Sequence, residues 1–243
     1  MAAAGELVVR VHERLVPLIG DGVTTAELDA EAARFIASEG ATSSFLGHHG
    51  FPRTIITSVN EVIIHGIPGE RVLSDGDIIS IDVGVILDGF HGDAAWTYPV
   101  GVVGDDVRRL LSGTEQALVE AVDAARDSAM LGSIGRAVER VAASHGLGVV
   151  RDYGGHGIGR SMWEEPHVPN IGAGADPVEL VANLTLAVEP MLTLGAPAYV
   201  VEGDGWTIRT VDRSFAAHFE HNLVVMADGA PTVLTAGLAN VLH

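Results

Sequence analysis

Cysteine is absent from the chain, which excludes disulfides, thiolate metal sites and a cysteine nucleophile. Basic residues are scarce, 14 against 32 acidic ones, for a formal charge of −18. That balance opposes attraction to DNA, RNA or anionic membranes, so no nucleic-acid partner is expected. No window approaches 18 uninterrupted apolar residues, so no membrane span is expected either. The opening run MAAAGELVVRVHERL carries charges inside its apolar stretch and lacks a basic leading segment, which argues against a signal peptide and makes the cytoplasm the expected compartment. Histidine, by contrast, is plentiful. Eleven occur in 243 residues, several in glycine-rich or acidic settings. With 47% apolar content, the chain is long enough for a sizeable core and reads as one domain over residues 1–243.

The chain is organised around residues 76–98, GDIISIDVGVILDGFHGDAAWTY. Asp88-Gly89 between apolar runs is a strong hairpin signal, because a two-residue type I′ turn needs positive φ at both central positions. With those two as the turn, Leu87 faces Phe90 and Gly84 faces Asp93. Asp82 then shares a face with Asp93, one diagonal step away, roughly 7–8 Å at Cα. Two carboxylates therefore converge from strands that are otherwise largely apolar. Ordinary polar residues at strand ends, or partners of arginines, are the plainer readings of the pair. Burying the carboxylates unpaired is costly, so something positive is expected between them.

Along the chain, residues 6–18 have helical spacing ended by Pro17, and Thr24-Thr25-Ala26-Glu27 is a capping box opening a helix to about Ser38. FLGHHGFPR (45–53) reads as a loop and 54–68 as strand-like material ending at His65-Gly66. Residues 105–129 and 133–145 give a second helical pair. GLGVVRDYGGHGIGR (146–160) reads as a short strand running into a glycine-rich loop that carries His156, followed by a turn-rich segment (166–178). Residues 182–192 predict a strand holding Glu189, 199–212 a hairpin, 216–226 a strand holding Glu220, and 231–235 a closing strand. Two helices, strands, two helices and strands suggest an α+β fold of two related halves, each laying helices on an antiparallel sheet.

Acidic residues and histidines embedded in apolar strands or glycine loops are Asp82, Asp93, His156, Glu189 and Glu220, with His65 and His167 as outliers. Four carboxylates and an imidazole suit one or two divalent ions such as Mn, Fe, Co or Zn. Four clustered carboxylates do not stay ionised together without cations. A dinuclear pair about 3.5–4 Å apart activates water at neutral pH and polarises a carbonyl. The glycines around His156 match neither a phosphate loop nor a dinucleotide fingerprint.

IDVGVILDGFHGD, GHGIGR, LAVEPM and FEHN, in this order, resemble the motifs of type I methionine aminopeptidases of the pita-bread fold, and SVNEVIIHGIP and DGWTI resemble the remaining ones. The match spans nearly the whole chain, and the motifs in register are far more specific than any one alone. The resemblance implies a fold of two pseudo-symmetric halves and removal of N-terminal methionine from peptides or nascent proteins by a monomer. It implies that Asp82 ligates one metal, that Asp93 and Glu220 bridge two, and that His156 and Glu189 hold the other. Glu189 would also move the proton of the attacking water. His65 would hydrogen-bond the scissile amide or protonate the leaving amine, and Phe51 and Trp206 would wall a methionine pocket. His65 as a turn residue, His167 as a surface residue and Trp206 as core are the plainer readings.

The sequence departs from that pattern in places. Trp163 stands in GHGIGRSMWEEPHVPN where the family usually has a histidine that contacts the substrate carbonyl. Its indole donates through one N–H and cannot exchange protons. Ile56 and Ile64 occupy positions where many bacterial relatives carry cysteine. Met1-Ala-Ala-Ala-Gly begins partway into the family's first helix, so either the start is shortened or the helix is trimmed. A specialised paralogue, insensitive to inhibitors or acting on a small molecule, and a non-catalytic peptide-binding module are the alternatives.

Overall fold

The computed structural model describes residues 1–173 and 177–240. The last three residues and part of the expected turn-rich segment 166–178 lie outside them. Four helices organise the rest: α1 (Ala2–Leu15), α2 (Thr25–Ser38), α3 (Asp105–Ala124) and α4 (Gly132–His145). In α1 the residues Leu7, Val8, Val11 and Leu15 recur at helical spacing and are buried against the central hairpin. The helix begins four residues before the sequence expectation, and Pro17 closes it inside a short 3-10 turn, Val16–Leu18. The capping box at Thr24 is formed in full: Thr24 accepts from the Glu27 amide while the Glu27 carboxylate accepts from the Thr24 amide.

Helix α3 ends at Ala124 rather than near 129. Its continuation is diverted: the amides of Ser128 and Leu131 donate to Leu180 and Val178, and Ser128 takes a positive φ of 63°. Helix α4 stops at Gly146, in the left-handed region with φ 63°. Each helix packs on its sequence neighbour, α1 on α2 and α3 on α4. The first pair covers the N-terminal sheet and α3 covers strands of the C-terminal half, giving two α+β halves. Among the described residues no helix is long and apolar enough to cross a membrane.

The hairpin forms as expected, from Ile78–Leu87 and Phe90–Pro99, with Gly84 opposite Asp93. Asp88 and Gly89 take φ of 52° and 74°, as a type I′ turn requires.

Three stretches expected as single strands are broken. Residues 54–68 split into Ile56–Val59 and Val62–Ile64 around Asn60 (φ 55°), which join different sheets. Residues 182–192 split into Thr185–Val188 and Met191–Thr193, and 216–226 into Ala216–His218 and His221–Val224. Those four segments pair two by two in a common register, Val188 with His221 and Met191 with His218, so Glu189 faces Glu220 across the break. Pro190 supplies no amide to the ladder, and the Glu220 amide turns away to donate to Ala95 O at 2.8 Å.

The expected glycine loop around His156 is instead a strand, Gly154–Gly157, inside a five-stranded sheet. Glycine is needed there because neighbouring backbones crowd it. A Cβ on Gly155 would lie 2.0 Å from Ala187 O. Part of the segment expected to be turn-rich is also a strand, Glu164–Pro169, paired with it.

Candidate metal centre

The hairpin floor presents Asp82 and Asp93, and the paired breaks of the C-terminal half present Glu189 and Glu220. The two halves are tied together at this point: the Asp93 amide donates to Asn222 Oδ1 at 2.7 Å and the Glu220 amide to Ala95 O at 2.8 Å. His156 comes from the glycine strand. Its Nδ1 lies 2.8 Å from the Gly157 carbonyl, which can only accept, so the proton sits on Nδ1 and the Nε2 lone pair is free. One donor atom each from Asp93, His156 and Glu220 lie within 4.8 Å of one another. Nε2 of His156 lies 3.8 Å from Glu189 Oε1.

Burial sets the electrostatics. Desolvation pushes the Asp82 carboxyl from 3.8 up to about 7, opposed by His218 and reinforced by Glu189. Desolvation likewise raises Glu189 from 4.5 to about 7, opposed by His156. Asp93 and Glu220 are pushed well above the carboxylate range by desolvation first, then Asp93 by repulsion from Asp82 and Glu189, and Glu220 by repulsion from Asp93, Glu189 and Asp82. Asp82 Oδ1, Asp93 Oδ1 and Glu220 Oε1 are buried with no hydrogen-bond partner. Buried, unpartnered, mutually repelling oxygens with one imidazole nitrogen are a donor set that divalent cations satisfy and that the apolar core does not.

All five residues line one cleft of about 870 Å³, together with His65, Phe51, Trp163 and Trp206. His65 follows the strand Val62–Ile64 in the left-handed region, φ 59°, uncommon for a residue with a side chain. Desolvation holds its imidazole down at about 4, hence neutral. One wall is a small apolar cluster separate from the main core. It comprises Phe45, Phe51, Ile56, Ile158 and Met162, with Trp206 packed edge-on to Phe51 at 5.2 Å. Ile56 thus lines the cleft, whereas Ile64 packs in a different cluster and does not. Trp163 is 46% exposed and stacks on His48, ring centroids 4.4 Å apart, across the cleft mouth. His167 is exposed and away from the cleft lining.

Sequence reasoning missed His218, a buried residue whose Nε2 stands 3.5 Å from Glu189 Oε2. The signal was present, since His218 precedes Glu220 by two positions in a strand-like run. It also missed Met162 and Phe45 on the apolar wall, which sit in stretches without periodicity.

A cage of buried carboxylates and one imidazole, closed between two α+β halves beneath an apolar-walled cleft, defines a metallohydrolase-type centre. The comparisons agree. The model for metallopeptidase family M24 matches residues 1–227. The chain is 44% identical to methionine aminopeptidase 1 of Bacillus subtilis (strain 168), covering 94% of this chain and 92% of the relative. It is 42% identical to methionine aminopeptidase 1 of Mycobacterium tuberculosis, covering 98% and 91%. The crystal structure of methionine aminopeptidase from Rickettsia prowazekii superposes with a TM-score of 0.94 at 38% identity, over 96% of this chain and 94% of that one. The chain belongs to metallopeptidase family M24, in its type I methionine aminopeptidase branch, and has the pita-bread fold.

Proposed function

We propose that this protein is a metal-dependent aminopeptidase that removes N-terminal methionine from peptides or nascent proteins with a small second residue. One observation carries the reading: the orphaned carboxylate cage and an apolar wall share a single cleft. Asp82, Asp93, His156, Glu189 and Glu220 would hold two divalent ions, Mn, Fe, Co or Zn. Such ions would polarise the scissile carbonyl and acidify the attacking water.

The protein groups do the rest. Phe51, Ile56, Met162 and Trp206 receive the methionine side chain, which fixes the scissile amide above the cage. Glu189 accepts the proton of the attacking water at a carboxylate oxygen. His65, neutral through desolvation, hydrogen-bonds the scissile amide as the leaving amine forms. Trp163 offers one indole N–H at most toward the substrate. The setting we propose is a monomeric catalytic domain comprising the whole chain, acting in the cytoplasm without nucleic-acid partners. The cysteine-free, strongly acidic composition supports it.

The test is a peptide panel on metal-reconstituted protein, varying the first two residues. Methionine release confined to small second residues supports the proposal; silence across the panel refutes it. A second reading, a specialised copy acting on a small molecule, rests on Trp163, which lines the cleft against His48 where the family usually has a histidine. A pure peptide binder has no use for four converging carboxylates.

A further inference from the structure

The carboxylate of Glu189 is bracketed by two imidazoles, one per oxygen. His156 Nε2 stands 3.8 Å from Oε1 and His218 Nε2 stands 3.5 Å from Oε2. The two histidines differ in what else they do. His156 spends its Nδ1 proton on the Gly157 carbonyl and turns a lone pair to the cleft. His218 Nε2 is buried and has no hydrogen-bond partner. A buried polar atom without a partner is costly and marks a place where another group is meant to complete it.

The His218 backbone is held on both sides by one threonine. Its amide donates to Thr97 Oγ1 at 3.0 Å, and that hydroxyl donates back to the His218 carbonyl at 2.8 Å. Thr97 lies on the same hairpin strand as Asp93, so the His218 backbone is anchored to the strand that carries the cage floor. His218 also pairs with Met191 in the ladder that flanks the break carrying Glu189. A buried donor on an anchored backbone, facing one oxygen of a carboxylate, favours one rotation of that carboxylate.

We propose that His218 is a positioning residue for Glu189. Its Nε2 faces Oε2 at 3.5 Å and, carrying a proton, would draw that oxygen to itself and leave Oε1 on the side of His156 and the cation site. The inference deepens the aminopeptidase reading and rests on it for the role of Glu189, because a carboxylate that both ligates and accepts a proton needs its two oxygens kept distinct. A partner of this kind typically contributes 10- to 100-fold in activity or metal affinity.

The test compares His218→Gln, His218→Asn and His218→Ala in the metal-reconstituted enzyme. A glutamine amide reaches about as far as Nε2, and an asparagine amide stops short. Hydrolysis of Met-Ala-Ser is expected to fall at least tenfold in kcat for the Asn and Ala variants with KM nearly unchanged, and to recover in the Gln variant. Calorimetric titration of the stripped proteins with Mn²⁺ is expected to keep the same order, with affinity at one site weakened at least tenfold for Asn and Ala and kept for Gln. Equal behaviour of all three variants and the wild type overturns the proposal, as does a Gln variant no better than Ala. If the wild type itself hydrolyses no methionyl peptide, the aminopeptidase reading fails, and the calorimetric order still decides the part assigned to His218.

Discussion

Replacing Gly155 by alanine is the sharpest perturbation of this fold that leaves every proposed ligand in place. The added methyl would stand 2.0 Å from Ala187 O and 2.9 Å from Ala187 C, both backbone atoms of the neighbouring strand. Cβ atoms essentially never come within 3.0 Å of another atom, so the strands must part by about 1 Å. No flexible side chain can absorb that displacement. Overpacking of this kind costs about 1–3 kcal/mol, and a clash against a hydrogen-bonded backbone belongs at the upper end. For a chain of this size, about 3 kcal/mol corresponds to a fall in Tm of roughly 6–12 °C. The site suffers more than the fold, because His156 is the next residue and metal–ligand distances tolerate only about 0.2 Å. Metal affinity is therefore expected to drop at least tenfold. Thermal unfolding and metal titration of Gly155→Ala measure both effects. Gly20→Ala, which adds a methyl into open space, serves as the control and should melt like the wild type. A Gly155→Ala protein that melts within a degree or two of the wild type and binds metal normally would refute this account of the glycine strand.

Asp93→Ala or Glu220→Ala is expected to abolish bound metal and hydrolysis together; full metal occupancy in either variant would reject the bridging assignment. Metal added to stripped protein at pH 7 is expected to displace protons, because burial raises Asp82 and Glu189 to about 7 and Asp93 and Glu220 well above the carboxylate range. Calorimetry in two buffers of different ionisation enthalpy counts these protons, and a count of zero contradicts the electrostatics of the cage. Trp163→His restores a second exchangeable donor at the cleft and is expected to raise kcat/KM on Met-Ala peptides at least tenfold; an unchanged value means that Trp163 does not face the substrate carbonyl. His12 is buried beside Tyr98, and desolvation lowers its pKa from 6.5 to about 4. Between those values the unfolded chain binds the proton that the folded one refuses, so stability is full above pH 6.5 and is lost as the pH falls toward 4. From pH 7 to pH 5 the loss from this group is about 2 kcal/mol, and urea unfolding of His12→Gln should show a correspondingly smaller decline.

How far the sequence reached depended on the range of the interactions. The hairpin register was legible to the residue, because Asp88-Gly89 dictates a turn and a turn dictates which residues face each other. The cage residues were legible because a carboxylate inside an apolar strand advertises its cost. The breaks at Glu189 and Glu220 were not. Pro190 marks a local stop beside Glu189, but nothing in AAHFEHNLVVM marks one at Glu220, and only pairing with the segment around Glu189 shows that the ladder opens at both glutamates. Gly154–Gly157 was misread as a loop because glycine signals flexibility locally, whereas here it answers to Ala187 and Glu165 on neighbouring strands. His218 escaped for a related reason: it is one more residue in a buried strand until Glu189 is brought to its side.

The cage draws two acids from each half of the chain, and neither half alone holds more than a diagonal or facing pair. Ions held by this cage would therefore act as rivets through the seam between the halves. A separation at that seam too small to expose the core would already release them, so the loss of catalysis would run ahead of any loss of structure.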